Sequence, residues 1–184
     1  MTEVFARQVL ILVGQNNTGK TSFQRHLLNY LCKEDQTRLR TNQSWPVKHQ
    51  DAPRRFNSIY FANRSYQELR TTLPPVRKYV ADALDTGAPL TILSSHADAS
   101  STSDIEAMYE VSIERGYNPS VAFFSNGLNS YCKMYSKSYN WHERLIISNA
   151  RIRPQKNEKE LIQGQLKLIA EDFGNLLMRR AALW

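Results

Sequence analysis

Long apolar runs are missing from this sequence. The longest, Val9 to Val13, is far below the roughly twenty residues of a membrane-spanning helix. No basic segment leading into an apolar stretch opens the chain, so neither a leader peptide nor a membrane anchor is expected, and the chain reads as soluble and cytoplasmic. Cysteine is nearly absent. Cys32 and Cys132 have neither C-x-x-C spacing nor a histidine cluster beside them, which argues against a disulfide framework or a zinc site and for two buried thiols in a reducing compartment. No internal repeat is visible. With 184 residues, 41% of them hydrophobic, there is material for one well-filled core and little for a second, so residues 1–184 read as a single domain.

Acids are outnumbered, 17 Asp and Glu against 24 Lys and Arg, for a formal charge of +7 and a pI near 9.5. That sign favours polyanionic partners, nucleotides and nucleic acids among them. The excess is concentrated. Residues 36–58 hold Arg38, Arg40, Lys48, Arg54 and Arg55 against Asp51, and residues 126–156 hold Lys133, Lys137, Arg144, Arg151, Arg153 and Lys156 against Glu143. Both stretches fall outside the expected core elements, as a basic insertion over 36–58 and a lid-like insertion over 126–144.

Glycine is also scarce, and two of the seven fall in one loop. The apolar run Val9–Val13 leads into Gly14-Gln15-Asn16-Asn17-Thr18-Gly19-Lys20-Thr21, a full match to the pattern G-x-x-x-x-G-K-S/T between a strand and a helix. Gly14 and Gly19 allow positive φ and close approach of backbone, so the N–H groups of Gln15, Asn16, Asn17, Thr18, Gly19, Lys20 and Thr21 can converge on an anion, with Ser22 just behind them. Lys20 can reach terminal phosphates as a point charge, and the Thr21 hydroxyl can hold magnesium at the positive end of a helix bearing Phe23, Leu27, Leu28 and Leu31. Through residues 9 to 21 the chain resembles the P-loop nucleoside-triphosphate-binding superfamily. The resemblance implies a three-layer α/β/α fold, ATP or GTP as ligand, and Mg2+. No guanine-specificity pattern of the Asn/Thr-Lys-x-Asp kind is present, which favours ATP.

The rest of the chain alternates strand and helix patterns. Strands are expected at Ser58–Ala62, Leu90–Leu93, Pro119–Phe124 and Arg144–Ser148, giving five with Val9–Val13. Helices are expected after Pro74-Pro75, closing at Gly87, after Ser103 with Glu106 completing a capping box, closing at Gly116, and from Asn157 onward. Lys33 to Asn57, with Pro46 and Pro53, reads as a long connection. Alternation of this kind implies right-handed crossovers and a mostly parallel five-stranded sheet with helices on both faces.

Ligands of such sheets sit beyond the carboxyl ends of the strands. Those ends here are Gly14, Asn63-Arg64, Ser94-Ser95-His96, Ser125-Asn126 and Ser148-Asn149, and none is acidic. The nearest acid after a core strand is Asp98, with Asp104 beyond it. Residues Leu90 to Phe124 are similar in spacing to the polynucleotide kinase and zeta-toxin-like kinase branch, which implies phosphoryl transfer to a nucleotide, a nucleic-acid end or a similar hydroxyl-bearing substrate. The branch normally carries an Asp where Asn63 stands, so the base that accepts a substrate proton would be Asp98, or Asp51 from the long connection. His96 is positioned by sequence to hydrogen-bond a phosphate or a substrate. The same branch implies a basic lid over the transferring phosphate, for which Arg144 and Lys137 are candidates, with Arg64 and Arg144 as the clamp.

Tyr131, Tyr135 and Tyr139 lie four apart and form one stripe on a helix. They read either as packing against the domain or as a stacking platform for single-stranded nucleic acid. The alternative to a kinase is a nucleotide-dependent switch that binds nucleic acid or a protein partner and turns over slowly, and a loop that binds nucleotide without chemistry comes third. Nothing in the sequence sets an oligomeric state.

Overall fold

The computed structural model describes residues 6–40, 42–149 and 156–181. Arg151 and Arg153 of the second basic stretch lie outside these residues. In chain order the elements are β1 (Arg7–Val13), α1 (Lys20–Cys32), β2 (Gln43–Pro46), β3 (Ser58–Phe61), α2 (Tyr66–Leu69), α3 (Val76–Leu84), β4 (Leu90–Ser95), α4 (Thr102–Glu114), β5 (Tyr117–Phe124), α5 (Ser130–Ser138), β6 (Glu143–Ile147) and α6 (Glu158–Ala181). They build one α/β unit around a six-stranded sheet of order β2-β3-β4-β1-β5-β6. Strands β3, β4, β1, β5 and β6 are parallel, and β2 runs antiparallel to β3 at the edge.

The five strands expected from hydrophobic runs are all present, and the count of five is corrected to six. Gln43–Pro46 lies in the stretch read as a long connection, because Gln-Ser-Trp-Pro carries one large apolar residue and ends in proline. Proline is tolerated at a sheet edge, where its missing N–H faces away from the ladder. Trp45 supplies the anchor: it is buried, sits opposite Ile59, and joins Leu39 and Phe56 in the core.

Alternation along the central strands divides the core into two layers. On one face Leu10, Leu12, Ile92, Ala122 and Phe124 meet Phe23, Leu27 and Leu31 of α1 and Leu166, Phe173 and Leu177 of α6. On the other, Val9, Ile11, Val13, Leu93, Val121 and Phe123 meet Tyr79, Val80 and Leu84 of α3 and Ile105, Met108 and Val111 of α4. Each fully buried Leu, Ile or Phe contributes about 1.5–3 kcal/mol.

One local expectation changes, and one of two open readings is selected. Helix α4 begins at Thr102, ahead of the expected Ser103 cap, and makes no side-chain cap hydrogen bond. Asp98 Oδ1 instead takes the hydroxyls of Ser100 and Ser101 at 2.7 and 2.8 Å and nucleates a 3-10 turn over Ala99–Ser101 that runs straight into the helix. The tyrosine stripe packs inward. Tyr135 is fully buried and donates to Asp98 O, while Tyr139 stacks near Tyr109 and Trp141, so α5 is part of the second core layer.

Candidate functional site

Winding reverses at β1. The chain leaves β1 through α1 on one face and passes from β4 to β5 through α4 on the other, with β1 between them. A crevice opens beyond the carboxyl ends of strands at such a point. The loop Gly14–Gly19 fills it.

Gly19 has φ 100° and stands at the N-cap of α1, with Asn17 also in the left-handed region at φ 63°. Gly14 does not use the positive φ that its residue type allows. Its need is closeness, since a Cβ there would stand 2.7 Å from Thr18 Oγ1. Thr18 folds back to donate its hydroxyl to Gln15 O at 2.9 Å and is buried. Asn16, Asn17, Gly19, Lys20 and Thr21 donate no backbone N–H to any described residue, and the first N–H groups of a helix have no intrahelical acceptor. A row of donors at a helix N-terminus is suited to an anion.

The loop is braced from three sides. Asn149, past the end of β6, is buried and donates to Thr18 O at 2.7 Å, and its Oδ1 takes the Ser125 hydroxyl at 3.4 Å. Gly127 approaches so closely that a Cβ would meet Thr18 Cγ2 at 2.5 Å. From α6, Leu166 packs on Gly19, and Gln163 binds Ser22, Arg25 and His26 at 3.2, 2.6 and 3.1 Å.

Lys20 is buried at 6% exposure, and its Nζ donates to Gly14 O at 2.5 Å and Gln15 O at 2.8 Å. Burial pushes its pKa down to about 8, against the opposing charge of Glu68. Glu68, from α2, lines a cavity of about 340 Å³ with Lys20, Thr21 and the rest of the loop. Among the described residues it is the one acid lining that cavity, and it lies five residues beyond Asn63, which follows β3. His96 faces it, with Nε2 3.4 Å from Glu68 Oε1.

Thr21 is exposed and donates its hydroxyl to Asn63 O at 3.1 Å; the buried Gln24 amide donates to the same oxygen at 3.0 Å and to Ser94 Oγ at 3.0 Å. Asn63 takes φ 59°, gives its side-chain amide to Leu39 O at 2.5 Å, and has its Oδ1 buried without a donor among the described residues. On the far side of Thr21 and Ser22 a groove of about 860 Å³ opens, with Arg25, Arg38, Arg40 and Arg64 in its wall.

Other expected site residues stand apart. Asp98 lines neither cavity: burial raises its pKa, but the Ser100 and Ser101 hydroxyls and His96 outweigh it and hold the carboxyl below its usual value. Arg144 pairs alongside Val121, two residues short of where β5 meets the end of β1, and donates to Ser136 O and Tyr139 O at 2.7 and 2.9 Å. Asp51 is exposed beside His49. Asp104 is buried against Arg70 and Gln67.

No helix among the described residues is long and apolar enough to cross a membrane. Comparison with family models, with curated proteins and with solved structures gives no match.

Proposed function

We propose that the chain binds ATP with magnesium at the Gly14–Thr21 loop and transfers the terminal phosphoryl group to a hydroxyl-bearing acceptor, a nucleotide or a nucleic-acid end, as P-loop kinases do. The observation that carries this reading is Lys20, a buried ammonium whose hydrogen bonds are to two carbonyls of its own loop and whose pKa is pushed down to about 8. A buried cation that forms no ion pair is costly, Glu68 offsetting only part of that cost, and an anionic ligand removes it. The neighbouring N–H groups without acceptors point to the same ligand chemistry.

In this reading the backbone N–H groups of Asn16, Asn17, Gly19, Lys20 and Thr21 hold the phosphates and Lys20 neutralises them. Magnesium takes one or two carboxylates together with phosphate oxygens and water, so a cluster of three acids, which the described residues lack, is not required. Thr21 and Glu68, hard oxygen donors in one cavity, would hold it, and it would supply charge neutralisation at the transferring group. The remaining work is positioning. Asn149, Gly127 and Leu166 fix the loop, and Arg64 faces the acceptor side. Phosphoryl transfer runs through a loose transition state and draws mainly on such positioning and on fixed charge.

Incubation with γ-labelled ATP and a panel of nucleosides, nucleotides and 5′-hydroxyl oligonucleotides tests the reading, and transfer of label supports it. The open arginine groove favours one second reading, a nucleotide-dependent nucleic-acid-binding switch. Oligonucleotide binding with a steep salt slope and no label transfer would select it.

A further inference from the structure

Four of the described arginines are paired with carboxylates. Arg70 meets Asp104, Arg77 bridges Glu110 and Glu114, Arg115 meets Asp85 and Arg180 meets Glu143. The groove beside the Gly14–Thr21 loop gathers arginines that are not so paired. Among the described residues, Arg38, Arg40 and Arg64 have no carboxylate and no side-chain hydrogen-bond partner, and no acid lines the groove. Arg25 spends one arm on Thr37 O and another on Gln163, which leaves it as a further positive charge in the wall. Guanidinium groups gathered without counter-ions repel one another and are matched in geometry to phosphate oxygens.

Resting on the phosphoryl-transfer reading, we propose that this groove is the acceptor site and that the acceptor carries a phosphate group of its own. Thr21 and Ser22 belong to both the groove and the cavity of the phosphate loop, so a hydroxyl bound in the groove meets the terminal phosphate of the donor at their common wall. The hydroxyl oxygen forms the new O–P bond as the bond from the γ-phosphorus to the β,γ-bridging oxygen breaks, ADP leaves and the hydroxyl proton passes to solvent. The volume of about 860 Å³ suits a nucleotide-sized ligand. Among the described residues no aromatic side chain lines it, so they offer no face on which a base would stack, and recognition falls on phosphate and on the amides of Asn42 and Gln43. Asn63, in the wall, has its Oδ1 buried without a donor among the described residues. The chemistry required is a phosphoester beside a free hydroxyl, which a free nucleotide and a strand end both provide. A nucleoside or a neutral sugar lacks it.

The test is calorimetric titration of the full chain, first with a non-hydrolysable ATP analogue and magnesium, then with three probes: a nucleoside, the matching nucleoside monophosphate, and a short oligonucleotide bearing a terminal phosphate and a 5′-hydroxyl. Each titration is repeated with Arg38→Ala/Arg40→Ala and with Arg64→Ala. The expected result is that phosphorylated probes bind at least about tenfold tighter than the nucleoside, that this preference is lost in the arginine variants, and that the analogue's affinity stays within about twofold. Preference for the monophosphate over the oligonucleotide, or the reverse, identifies the source. Analogue binding with no preference for phosphorylated probes, or a preference untouched by the arginine substitutions, overturns the groove assignment and leaves the phosphoryl-transfer reading standing. Arginine-dependent probe binding without analogue binding overturns the phosphoryl-transfer reading, and the acceptor assignment with it.

Discussion

The Asn149 side-chain amide donates to the Thr18 carbonyl at 2.7 Å, joining the exit of β6 to the middle of the Gly14–Gly19 loop across 131 residues of chain. Both groups are buried, and removal of the donor leaves a carbonyl unsatisfied. Asn149→Ala should therefore lower stability by about 1–3 kcal/mol in urea unfolding. Asn149→Asp, which keeps the shape, loses the donor and adds a negative charge at the anion site, should weaken nucleotide binding further than Ala does. Equal affinity in the two variants would show that the loop is not an anion site.

A second contact across the loop tests its packing. A Cβ at Gly127 would stand 2.5 Å from Thr18 Cγ2, so Gly127→Ala should cost about 1–3 kcal/mol and displace the loop. Thr18→Ser removes the offending methyl while keeping the hydroxyl that bonds Gln15 O. The double variant should recover most of the lost stability, with a coupling of the corresponding size in a double-mutant cycle.

The lowered pKa of Lys20 gives a pH dependence of definite sign. Between the folded value of about 8 and the ordinary lysine value of 10.5 the unfolded chain binds the proton and the folded one does not, so this group's contribution to stability rises with pH across that window. Affinity for an anion runs the other way, falling by about tenfold per pH unit above 8 as the ammonium is lost. Titrations of wild type and Lys20→Met from pH 7 to 9.5 isolate the effect, which should be absent from the variant.

Why some of this was legible in the sequence and some was not follows from the range of the interactions. Val9–Val13, Leu90–Leu93 and Pro119–Phe124 are buried on both faces and announce themselves as apolar runs, and Gly19-Lys20-Thr21 needs its residue types locally. Gln43–Pro46 is a strand only because β3 lies beside it and Trp45 finds the core. Glu68 reaches the loop because the short helix α2 turns it back, and Gln163 because a helix from the far end of the chain packs over Gly19. Neither residue has a local signal. Asp98 and Arg144 had the signal, a charge near a strand, yet local partners take them: two serine hydroxyls in one case and the last carbonyls of α5 in the other.

Cys32 and Cys132 are free and buried, as expected for lone thiols. Burial, with the charge of Glu34, pushes Cys32 up to about 12, and burial raises Cys132 as well. Neither should react with an alkylating reagent at pH 8 until the protein is unfolded, when both should react together. Rapid labelling of the folded protein would contradict their placement.

The central claim is that Lys20 is the cation of a nucleoside-triphosphate site. Calorimetric titration of Lys20→Ala with ATP and magnesium at pH 7.5, alongside wild type, tests it most directly. The expected result is measurable binding by wild type and a loss of about a hundredfold or more in the variant, whose circular dichroism spectrum should be unchanged. Equal affinity in the two proteins, or no binding by wild type, would contradict it.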